Sequence, residues 1–144
     1  MRIVLDTNVL VSALISSGTP PGLLYESWAH GDFELVISRA QIAELTRVLA
    51  YERLRPYIQP AEAQALSETI DAAAIVMDAL PDTRLSADPD DDVFLATAIA
   101  AGADLIVTGD KSHLLELGSV EGIPIVTPRA ALAHLGKGVE QSES

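Results

Sequence analysis

The chain of 144 residues contains no cysteine, which excludes a disulfide framework and any thiolate metal site. Aromatic residues are scarce: one Trp, three Tyr and two Phe. That leaves few rings on which unpaired bases could stack, so capture of single strands by base stacking is not expected. Basic residues are scarce as well, with 9 Lys and Arg against 21 Asp and Glu, a formal net charge of −12, and lysine only at Lys111 and Lys137. Such a surface repels a polyanion at long range and excludes generic nucleic-acid binding, unless cations neutralise an acidic site and the few arginines gather beside it. No run of 18 apolar residues occurs, and the first residues read as a strand rather than as a basic region followed by a leader. These absences predict a soluble cytoplasmic protein with no membrane span.

What is present is apolar: 49% of the residues are hydrophobic, enough for one domain over residues 1–135 to bury a core unaided, with residues 136–144 as a flexible tail. Ile3-Val4-Leu5 is a β-branched run suited to a strand covered on both faces, followed by Asp6-Thr7-Asn8 and a short apolar segment, Val9 to Ile15. Ser16 to Pro21 breaks the pattern, with Ser12, Ser16 and Ser17 read as turn formers. Pro21 to Ala29 reads as a helix with Leu23, Leu24 and Trp28 inward, stopped near Gly31. Leu35-Val36-Ile37 is a second buried strand. Ser38 with Gln41 has capping-box spacing, and Ile42, Leu45, Val48 and Leu49 form the stripe of the helix that follows. A helix over Ala61 to Ala73, a short strand at Ala74 to Met77 and a polar connection from Pro81 to Ala87 come next. Asp88-Pro89 opens a helix that Gly102 ends. Leu105 to Val107 is a strand, Ser112 to Leu117 a helix, Ile123 to Val126 a strand, and Thr127-Pro128 starts the last helix. Alternating β and α elements predict a three-layer α/β/α sandwich around a mostly parallel, Rossmann-like sheet.

The acids carry the chemistry. Asp6 sits at the carboxyl end of a predicted central strand, the edge where open parallel sheets bind ligands; there it serves as a metal ligand or caps the helix that follows. Asp88, Asp90, Asp91 and Asp92 crowd one helix start. The positive dipole end explains one or two of them, and more than that calls for a cation or a raised pKa. Asp110 follows Thr108-Gly109 at the end of another strand, and Glu44 lies on the flank of the stripe behind Ser38. With right-handed crossovers, Asp6, Glu44, Asp91 or Asp92, and Asp110 come from four element ends or flanks that meet at one crevice. Carboxylates without Cys or His select hard cations, Mg²⁺ or Mn²⁺, and the matching chemistry is phosphoryl transfer, in which metals activate water and stabilise the leaving oxygen.

Val4 to Asn8, Glu44 within the second main helix, the Asp-rich start and Ala-rich body of Asp88 to Ala98, and Val107-Thr108-Gly109-Asp110 together resemble the PIN-domain family. These are small metal-dependent ribonucleases that include many toxins of toxin–antitoxin pairs, and the similarity is greatest to a group described as toxin components. By position the resemblance implies that Asp6, Asp91 and Asp110 hold metal and that Glu44 binds metal or orients water. It also implies that Asn8 and Thr108 position these acids by hydrogen bonds. Counting forward to Ala98 favours Asp91 as the third acid and counting back from Asp110 favours Asp92; the rigidity of the helix favours Asp91, with Asp92 the alternate. The implied function is a Mg²⁺- or Mn²⁺-dependent endoribonuclease, a toxin paired with an antitoxin that covers the acidic crevice. The chain would act as a homodimer and contact RNA through arginines near Glu44, of which Arg39 and Arg47 are the candidates. His30, His113 and His134 have no partner spacing and read as surface or structural residues, and Trp28 reads as core.

Three rival readings fit the residues less well. A phosphatase forming an aspartyl-phosphate on Asp6 wants a second Asp two residues on, where this chain has Asn8. A receiver-like Mg²⁺ pocket wants a lysine ending the last strand, which Ile125 to Pro128 does not supply. A catalytically inactive PIN-fold binding module would tolerate losses among the acids, yet all four positions are filled.

Overall fold

The computed structural model describes residues 1–78, 80, 88–109 and 111–136. Two sequence expectations, the polar connection at Pro81 to Ala87 and the tail beyond Gly136, therefore lie outside the described residues. Among the described residues a sheet of six strands runs β3-β2-β1-β4-β6-β5. Its strands are β1 (Arg2–Leu5), β2 (Glu34–Ser38), β3 (Ile75–Met77), β4 (Leu105–Val107), β5 (Ser119–Val120) and β6 (Ile123–Val126). All pairings are parallel except β5 with β6. The helices are α1 (Thr7–Ile15), α2 (Pro20–Ala29), α3 (Arg39–Leu49), α4 (Pro60–Ala73), α5 (Pro89–Ala101), α6 (Ser112–Leu117) and α7 (Pro128–His134), with one 3-10 turn at Glu52–Leu54.

Side chains alternate across a strand, so each central strand feeds two cores at once. Ile3, Leu5, Leu35, Ile37, Leu105 and Val107 face the layer of α1, α2, α3, α4 and α7, where Leu24, Trp28, Leu45, Leu66 and Ile70 pack. Val4, Val36, Ile106 and Ile125 face the opposite layer, against Phe94, Leu95 and Ala98 of α5 and Leu114 of α6. Two covered faces explain the unbroken apolar runs, because a strand with no solvent side has no polar positions to alternate with. At about 1.5–3 kcal/mol for each large side chain buried, these strands anchor the fold.

Local signals set the helix ends. Ser38 caps α3: its hydroxyl accepts from the Gln41 N–H at 3.2 Å, and Gln41 Oε1 accepts from the Ser38 N–H at 3.3 Å. Gly102, at φ +60°, closes α5; its N–H reaches Ile99 O at 3.2 Å and the Ala103 N–H reaches Ala98 O at 3.0 Å. This is a Schellman pair that a left-handed residue makes possible. Two details differ from the sequence reading. Leu23 is 36% exposed because it sits one helical step from Leu24, which takes the inward position. The edge strand β5 went unseen, since two residues are too short for any periodicity to register.

The site lies where the chain order reverses. From β1 the sheet grows one way through β2 and β3 and the other way through β4 and β6, so β1 and β4 are neighbours whose following segments diverge. A crevice opens at their carboxyl ends.

Candidate active site

Asp6 follows β1 at this point. Its backbone N–H donates to Val107 O of β4 at 2.9 Å, which ties it across the reversal. One carboxylate oxygen, Oδ1, accepts the Asn8 N–H at 3.2 Å, and the other, Oδ2, accepts the Thr108 hydroxyl at 2.9 Å. Asp6 thus caps α1 while its carboxylate, only 5% exposed, lines a pocket of about 360 Å³. The two roles that the sequence left open coexist geometrically, because the capping bond uses one oxygen and leaves the group facing the crevice.

Glu44 comes from the second turn of α3. It lines the same pocket and accepts a hydrogen bond from the Thr7 hydroxyl. Thr7, buried at the first position of α1, thereby links the end of β1 to α3; sequence reading gave it no role. Gln41 and Arg47, one turn either side of Glu44, also line the pocket. Among the described residues the Arg47 guanidinium makes no ion pair, and the residue is exposed where it borders the pocket. Arg39 lies elsewhere: it is held on the surface by Asp78 at 2.9 Å and Asp71 at 3.5 Å, and these acids raise its pKa.

The third acid of the pocket is Asp91, at the start of α5 and 1% exposed. Asp92 is half-buried and does not line the pocket, since adjacent helical residues point about 100° apart. Lys111 Nζ donates to Asp91 Oδ1 at 2.9 Å, and His113 Nε2 lies 2.6 Å from Oδ2. Burial pushes the Asp91 carboxyl up, but its hydrogen bonds and charge interactions with His113 and Lys111 outweigh this and hold it below the usual range. With the carboxylate ionised, the facing imidazole nitrogen is the donor. Burial likewise disfavours the Lys111 ammonium, yet the hydrogen bond to Asp91 and the charges of Asp6, Asp91 and Asp88 keep its pKa above the ordinary value.

His113, read from sequence as an unpartnered surface or structural histidine, is exposed over 58% of its side chain but reaches the deepest acid of the pocket. Its contact, like that of Lys111, spans about twenty residues and carries no local spacing. The one available signal was that Lys111 directly follows Asp110 in sequence and His113 comes three residues after it. Asn8 contributes its backbone N–H to Asp6, and it borders a separate shallow recess with Ser12 and Gly109. Asp110, the fourth predicted acid, lies outside the described residues.

Among the described residues no three acidic or histidine side chains converge closely enough to hold an ion by themselves. The donors present nevertheless suit a hard divalent cation: Asp6, Glu44 and Asp91 offer only carboxylate oxygen to one pocket, and the chain has no thiolate. Two buried carboxylates in one crevice need positive charge, and Lys111 supplies it in this structure.

The family model for the PIN domain matches residues 2–112. The chain therefore belongs to the PIN-domain family, whose members are nucleases. Among curated proteins, none matches the sequence. Among solved structures it is similar to a chain of VapBC2 from Rickettsia felis, crystallised bound to a DNA fragment from their promoter. That match has 16% identity and a TM-score of 0.58, and covers 88% of this chain and 98% of that one. At such identity the likeness speaks for the fold. Among the described residues no helix is long and apolar enough to cross a membrane.

Proposed function

We propose that this PIN-domain protein is a Mg²⁺- or Mn²⁺-dependent endoribonuclease and the toxin of a toxin–antitoxin pair, working in the cytoplasm as a homodimer. The observation that carries the reading is the burial of Asp6 and Asp91 in one pocket, at the reversal point of a parallel sheet, with Glu44 and Arg47 on its wall. In this reading Asp6, Asp91 and Asp110 hold the cation, and Glu44 binds it or orients the attacking water. Thr108 and the Asn8 N–H fix the Asp6 carboxylate. The bound ion would activate water and stabilise the leaving oxygen of an in-line displacement. Arg47 meets the substrate phosphate, which lets a chain of charge −12 accept a polyanion locally while repelling it elsewhere. The Rickettsia felis VapBC2 assembly supports a protein partner for this chain, and we assign it the role of an antitoxin covering the acidic pocket.

The test is cleavage of RNA by purified protein with Mn²⁺, followed on denaturing gels. Cleavage that disappears with chelator and with Asp6→Asn supports the reading, whereas RNA left intact alongside calorimetry without metal binding overturns it. Growth arrest on expression, relieved by the product of a neighbouring gene, is the corresponding test of the toxin role.

A further inference from the structure

Lys111 is the feature of the pocket that the proposed chemistry leaves unused. Its ammonium is bonded to one oxygen of a carboxylate that is 1% exposed, while its own side chain is 26% exposed. The other Asp91 oxygen is bonded by His113, whose side chain is 58% exposed. Lys111 lines the same pocket as Asp6 and Glu44 and lies within the field of Asp6 and Asp88. A monovalent cation thus stands on a buried acid of the pocket that Asp6 and Glu44 also line.

We propose that Lys111 is a counter-cation of this pocket and that a divalent ion loads by exchange with it. The ion takes Asp91 Oδ1 as the lysine swings toward solvent, while His113 keeps Oδ2 and holds the carboxylate in orientation. The inference rests on the reading of the pocket as a divalent-ion site. Three physical points carry it. Buried carboxylates lining one pocket need compensating positive charge. A divalent ion and an ammonium cannot share one carboxylate oxygen at short range without like-charge repulsion. And a lysine reaches and leaves on a flexible four-carbon stem that is already partly in solvent. His113 is a positioning residue here, acting on the ion only through Asp91. The exchange makes metal loading a competition, and it frees a cation at the pocket only once the ion is in place.

The chain holds just two lysines, Lys111 and Lys137, which makes the exchange measurable on the native protein. Limited acetylation with an amine-reactive ester, read peptide by peptide by mass spectrometry with and without Mg²⁺, compares Lys111 with Lys137 as internal reference. The expected result is a several-fold rise in Lys111 labelling when Mg²⁺ is bound. In parallel, calorimetry with Mg²⁺ and Mn²⁺ should find Lys111→Met binding roughly tenfold more tightly than the parent, because one unit of competing positive charge is gone. Metal binding by the parent without a rise in Lys111 labelling overturns the exchange and leaves the metal reading intact, as does weaker binding by a folded Lys111→Met. Absence of binding in both proteins overturns the metal reading and the exchange with it. Should the variant fail to fold, the labelling of the native chain decides alone.

Discussion

The two buried acids of the pocket are satisfied in opposite ways. Asp6 receives a backbone N–H from Asn8 and a hydroxyl from Thr108, donors fixed to α1 and to the end of β4. Asp91 receives the Lys111 ammonium and the His113 ring, the tips of longer side chains around the short helix α6. Donors anchored in the sheet edge place a carboxylate and keep it there. Side-chain nitrogens neutralise one and can depart. Asp6 is thus held by donors fixed to the fold, whereas the bonds to Asp91 come from side-chain tips.

The largest effect that breaks this comparison is expected at Asp6. An Asn there retains the helix cap, since Asn and Asp cap about equally well, so the fold should stand. Loss of several kcal/mol of charge stabilisation corresponds to a fall on the order of 10³ or more in RNA cleavage, measured as initial rate with Mn²⁺. Asp91→Asn should abolish cleavage to a similar degree and in addition lower stability by about 1–3 kcal/mol, because it weakens a bonded, buried partner of Lys111. Thermal melts of the two variants side by side check that contrast. Thr108→Val removes a donor from a buried carboxylate, and cleavage should fall about 10–100-fold with metal affinity falling alongside. Arg47→Ala should act mainly on substrate, raising KM several-fold at low salt with the difference shrinking at high salt, as screening demands. Asp92→Asn is the smallest in cleavage, which should be unchanged, because Asp92 does not line the pocket.

Most of the architecture was legible because its causes are local. Ile3 to Leu5, Leu35 to Ile37 and Leu105 to Val107 are buried on both faces, and an uninterrupted apolar run of that length reads as a covered strand. The Ser38–Gln41 capping box and the Gly102 stop act within one turn of themselves. The meeting of Asp6 with Asp91 and Glu44 in one pocket followed from parallel topology, since strand ends and helix starts face the same edge. Choosing between Asp91 and Asp92 was harder. Phe94 to Ala98 are buried consecutively, so α5 is enclosed on nearly every side and its apolar period points nowhere. Lys111 and His113 were missed for a different reason: their partner is contributed by another helix, and no spacing rule spans that distance.

The central claim, that Asp6 and Asp91 together hold a divalent cation, is tested most directly by Mn²⁺ titration calorimetry of the parent, Asp6→Asn and Asp91→Asn. The account predicts saturable binding by the parent that is lost or weakened at least tenfold in each folded variant. Binding of undiminished affinity in either variant would contradict it.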